Sequence, residues 1–109
     1  MTDVVVACSD LMTASRFESS DARVQRCSTE DRALEAVVAS PGCTCVIDLL
    51  AFPDLAERLH EMRKTGPPAR ILGFAPHVHE ELLEAARQWC DSVYPRGAMV
   101  KNFARIVGG

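Results

Sequence analysis

A few side chains capable of chemistry fall directly after short apolar runs. Asp10 follows residues 4–8 (VVVAC) with Ser9 between, and Asp48 stands near the end of residues 43–49 (CTCVIDL). His77 follows residues 70–74 (RILGF) after Ala75 and Pro76, and Arg96 follows residues 92–94 (SVY) after Pro95. Two carboxylates brought together can share a divalent cation, or one of them can accept a phosphoryl group. An arginine beside them supplies a planar fork that pairs with a carboxylate or a phosphate. Cys43 and Cys45 are two apart, so in a strand they face the same side. They suit either two small buried hydrophobes or a thiol pair for redox or metal chemistry. No Cys-x2-Cys is present, and His60, His77 and His79 are not spaced to join them.

For these residues to meet, the apolar runs must lie side by side and in the same direction, and the rhythm of the chain provides this. Runs at 4–8, 22–27, 43–49, 70–74 and 92–94 alternate with amphipathic stretches, at about 22 residues per unit. That spacing predicts right-handed crossovers and an α/β, three-layer, doubly wound sheet of five parallel strands, flavodoxin-like, in the order 2-1-3-4-5. The first strand, apolar on both faces, belongs in the centre; the second, with Arg23, Gln25 and Arg26, belongs at an edge. The first helix is expected over 10–19, capped by Ser9 or Asp10. The second opens at 28–31 and carries Leu34, Val37 and Val38 on one stripe. The third runs from an Asp54 cap to Lys64 with Leu55, Leu59 and Met62 inward. The fourth covers 79–89 and the fifth 98–107, with Met99, Phe103 and Ile106 inward. Nothing divides residues 1–109, which read as a single domain.

Composition narrows the function classes. The chain has 109 residues, a net charge of -3, a hydrophobic share of 48% and a charged share of 25%. A disordered chain, a rod and a membrane span are excluded, and a broadly basic nucleic-acid surface is disfavoured. No basic leader precedes the first strand, and five cysteines are an odd number, so free thiols and a cytoplasmic location are expected. The turn after the first strand, Cys8-Ser9-Asp10-Leu11, lacks glycine, which disfavours dinucleotide binding and leaves no P-loop. No activated nucleophile and base can be paired, so the chain is not expected to be an enzyme.

Ligands of such sheets bind beyond the carboxyl ends of the strands, where Ser9, Asp10, Asp48, Phe74, Ala75, His77 and Arg96 gather. With these residues in order, nearly the whole chain resembles the receiver domain of two-component response regulators. The stretches that carry the likeness are 4–10, Val46-Ile47-Asp48-Leu49 with Pro53, 71–75, and 90–96. The resemblance implies that Asp48 is the phosphoacceptor, that acids after the first strand hold Mg, that a hydroxyl follows the fourth strand and that a lysine follows the fifth. Here Asp10 is the only acid, Phe74 stands at the hydroxyl position with Ala75 next, and Arg96 replaces the lysine. The chain is most similar to atypical or pseudo-receivers, through Asp10-Leu11-Met12, Ser15-Arg16, Phe74-Ala75-Pro76-His77-Val78 and Pro95-Arg96.

The expectation is an atypical receiver-like signalling module with a degenerate phosphorylation site, acting through protein–protein interaction and requiring no cofactor. The alternative is a working single-domain response regulator phosphorylated on Asp48, with Mg held loosely by Asp10 and Asp48. A thiol-based redox or metal role for Cys43 and Cys45 is a third reading. Asp48 can also cap its loop or pair with Arg96, Asp10 can be a helix cap, and His77 a surface residue. The expected partner is another signalling or scaffold protein, or a second copy, with no nucleic acid and no membrane. The expected docking face joins the fourth helix, fifth strand and fifth helix through Arg87, Trp89, Tyr94, Met99 and Phe103.

Overall fold

Branched Val4, Val5 and Val6 crowd a helix and suit a pleated strand. In the computed structural model, which describes residues 2–108, they form β1 (Thr2–Ala7). The other strands are β2 (Ala22–Cys27), β3 (Thr44–Asp48), β4 (Arg70–Ala75) and β5 (Ser92–Pro95). All pair in parallel in the order β2-β1-β3-β4-β5. The architecture is flavodoxin-like α/β, as the spacing predicts. β1 has a neighbour on each side, with β3 in the middle, and β2 is an edge.

The helices are α1 (Leu11–Ala14), α2 (Glu30–Ala39), α3 (Leu55–Met62), α4 (Glu80–Ala86) and α5 (Arg96–Gly108). Alternation along the strands feeds two cores. Val5, Ala7, Cys45 and Ile47 join Ala33, Ala36, Val37, Leu55 and Leu59 under α2, α3 and α4. Val4, Val6, Val46 and Leu72 join Ala14, Phe17, Met99, Phe103 and Ile106 under α1 and α5. The Phe17 ring is the hinge of the second core, 5.2 Å from Phe74 and 5.0 Å from Phe103 between centroids.

Several expectations change. α1 is four residues long, not the ten of 10–19. Its carbonyls are taken by side chains: Ser15 Oγ donates to Met12 at 2.8 Å, Arg26 Nε to Ala14 at 2.7 Å, and Arg26 Nη2 to Phe17. Ending the helix there lets Phe17 turn fully into the core. Val38 is exposed, and Ala33 and Ala36 take its place on the buried face of α2. α4 stops at Ala86, after which Trp89 and Cys90 amides both donate back to its carbonyl. α5 begins two residues early, at Arg96, and is interrupted at Asn102, whose side chain donates to Ala98 carbonyl at 3.2 Å.

Two glycines matter. Gly42 turns the chain into β3 with φ of 84°, a conformation glycine adopts without penalty. Gly73, mid-β4, faces Leu49: a Cβ there would sit 2.9 Å from Leu49 Cδ1.

At the amino ends of the strands the charges are tied down. Asp91, just before β5, pairs with Arg63 after α3, and its Oδ2 also accepts the Ile71 amide at 2.9 Å. Arg70 donates to the last carbonyls of α5, reaching Ile106 at 3.2 Å. Among the described residues no helix is long and apolar enough to cross a membrane.

Candidate functional site

Parallel strands deliver all their carboxyl ends to one rim, so the residues after β1, β3, β4 and β5 meet there. Asp48 is the last residue of β3 and is half-buried. Its Oδ1 accepts the amides of Leu50 and Ala51 at 3.2 and 3.3 Å, which fixes the start of the β3–α3 loop. Its Oδ2 faces the Cys8 thiol, with Sγ at 3.8 Å. Cys8 is buried directly after β1, and its amide holds the Cys27 carbonyl at 3.0 Å. Its sulfur also lies 3.5 Å from the Asp10 carbonyl, so one proton is shared between two acceptors. Burial pushes the Cys8 thiol up from its ordinary value, and the carboxylates of Asp48 and Asp10 push the same way. The neutral S–H is therefore the resting form.

Asp10 is the N-cap of α1. Oδ2 accepts the Thr13 hydroxyl at 2.7 Å and Oδ1 the Met12 amide at 3.0 Å. The Thr13 hydrogen bond, with help from the Met12 and Thr13 amides and the Arg96 charge, holds its carboxyl below the ordinary value. Arg96 opens α5 and lines a cleft with Asp10. Among the described residues it makes no ion pair with Asp48; of the two structural roles open to Asp48, capping its loop and pairing with Arg96, the structure has the first. Starting α5 at Arg96 swings that side chain toward α1, away from β3.

Phe74 pairs in register with Asp48 and with Tyr94 but buries its ring in the α1–α5 core; Ala75 is also buried. No hydroxyl therefore follows β4 at this position. Ser9 and His77 are exposed on the rim. Comparison with family models, with curated proteins and with solved structures gives no match to this chain.

The donors at the rim do not fit Mg. This cation requires hard oxygen ligands in near-octahedral order. A neutral, soft thiol occupies the side of Asp48 that faces β1, and Asp10 is turned to cap α1, where it meets Met12 and Thr13. Among the described residues no three His, Cys, Asp or Glu are placed to hold a metal ion. Cys43 and Cys45 are both buried in the α2–α4 core as free thiols, and burial pushes both up.

The expected docking face is not assembled. Met99 and Phe103 are core residues, because the inner stripe of α5 points at the sheet. Trp89 turns to α3, with its ring 5.4 Å from His60, and Tyr94 packs on the opposite side of the sheet. Arg87 is exposed but ion-paired with Glu84. Of the large apolar side chains that do reach solvent, Val38 lies on α2 and four lie elsewhere: Leu11 (76%), Met12 (79%), Leu50 (51%) and Val78 (71%). All four follow strand ends on the Asp48 rim. Their only signal in the sequence is an apolar residue placed just beyond a strand, where no periodicity asks for one.

Proposed function

We propose that this chain is an atypical receiver-like signalling module that acts by binding another signalling or scaffold protein and carries no phosphoryl group. The observation that supports this most is the Cys8 thiol on Asp48. Where the receiver resemblance implies an acid that holds Mg, this chain has a neutral, buried group that brings no charge to a phosphoryl transition state. Phe74 in place of a hydroxyl removes the matching hydrogen bond on the other side. The exposed Leu11, Met12, Leu50 and Val78 around Asp48 provide the apolar ground of a docking surface, with polar Ser9, Asp10 and His77 among them.

The test is treatment with acetyl phosphate and Mg followed by intact-mass and peptide spectrometry. The expected result is an unmodified chain. Incorporation on Asp48 that disappears in Asp48→Asn would overturn the proposal in favour of a working single-domain response regulator.

A further inference from the structure

Of the twelve lysines and arginines in the chain, among the described residues five sit in ion pairs and two bind backbone carbonyls. Three of the remaining five, Arg16, Arg96 and Lys101, line a single cleft of about 680 Å3 between α1 and α5. Among the described residues none of these three has a carboxylate partner in an ion pair. Three like charges around one concavity repel one another, and an anion placed among them relieves that repulsion. The whole chain carries a net charge of -3, so the cluster runs against the overall balance.

The shape of the donors indicates the anion. Two guanidinium forks and one ammonium match the oxygens of a phosphate. Arg96 and Gly97 begin α5, and Gly97 adds a stretch of lining with no side chain to fill the cleft. Asp10 forms the one acidic wall. Its carboxylate is fixed by Met12 and Thr13, so it repels a second phosphate and accepts hydrogen bonds from hydroxyl groups. The lining holds no aromatic ring on which a base could stack, and Val100 is its one branched apolar residue. Asp48 is not part of it.

We infer that the α1–α5 cleft binds a small phosphate monoester carrying free hydroxyl groups, with Arg16, Arg96 and Lys101 on the phosphate and Asp10 on the hydroxyls. The volume lies within the range of small-molecule sites, about 300–1,000 Å3. This site is independent of whether Asp48 is ever phosphorylated.

The experiment is an NMR titration at constant ionic strength with ribose phosphate, inorganic phosphate, AMP and chloride, following the amides of Gly97 and Lys101. Saturable shifts are expected with ribose phosphate and, no more strongly because nothing in the lining stacks on its base, with AMP; weaker ones are expected with inorganic phosphate and none with chloride. Arg16→Ala and Lys101→Ala are each expected to weaken binding about tenfold, the scale of one lost charge-assisted contact. Lys64→Ala, whose side chain pairs with Glu61, leaves binding unchanged. The two variants lie in different segments, so each reports separately if the other fails to fold. Absence of saturation, equal response to chloride, or equal losses in Lys64→Ala overturns the site. Inorganic phosphate binding as tightly as ribose phosphate overturns the assignment of Asp10 to hydroxyls.

Discussion

Asp91 and Asp48 stand at opposite ends of the same sheet and are served in different ways. Asp91, at the amino end, holds the Arg63 guanidinium and the buried Ile71 amide together, so one carboxylate joins α3, β4 and β5. Asp48, at the carboxyl end, holds among the described residues only the two amides of its own loop and a thiol, while Arg96 lines another cleft. A carboxylate that meets a cation across the fold is a tie between elements. One satisfied locally leaves the surrounding charges free for a ligand or a partner. The same contrast separates the two rims: Arg63 and Arg70 are engaged at the amino end, whereas Arg16, Arg96 and Lys101, at the α1–α5 side of the other, have no ion-pair partner among the described residues.

The largest expected effect breaks the tie. Asp91→Ala leaves the Ile71 amide without its acceptor and Arg63 without its partner, a loss of about 1–3 kcal/mol that lowers the thermal midpoint. Asp48→Asn retains an oxygen for the Leu50 and Ala51 amides, so its melt stays close to the parent; equal losses from the two changes would dissolve the contrast. A smaller effect is expected at Asp10. Asp10→Ala removes the cap of α1 and lowers the melt by a few degrees at neutral pH. Its carboxyl titrates lower in the folded chain than its ordinary 3.8, so the contribution is complete above that pH and is lost as pH falls through the folded value. Melts recorded against pH should show the variant and the parent converging in acid. The smallest effect sharpens the description of the Asp48 side. Because Cys8 is raised from 9.0, iodoacetamide should label it slowly at neutral pH and faster only as pH rises past that value. Peptide mapping gives the rate, and fast labelling at neutral pH would mean a thiolate beside Asp48.

What the sequence shows about this fold is whatever depends on neighbours along the chain. Alternation over 22–25, closed by Cys27, locates β2 with the bounds the structure has, and Val4–Val6, apolar on both faces, give β1 two flanking strands. The length of α1 was not legible, because its end is set by Arg26, a residue of β2 that reaches back across the loop to Ala14 and Phe17. Asp10, Asp48 and Arg96 could be placed on one rim from topology alone, but their partners could not. Cys8 meets Asp48 across 40 positions. The stripe of α5 was correct, yet the same Met99 and Phe103 cannot serve both core and surface, and burial decides for the core.

Gly73 extends its influence to Asp48 through its neighbour. With no Cβ on β4 there, Leu49 can lie flat against the strand, and Leu49 is the residue that follows Asp48. In evolutionary terms the two positions share one history. A lineage that enlarges residue 73 must also turn or trim the Leu49 side chain, whose tip would stand 2.9 Å from the new Cβ. The start of the loop after Asp48 is thus inherited together with an empty space on another strand, and a descendant that fills that space must resettle Leu49 as well.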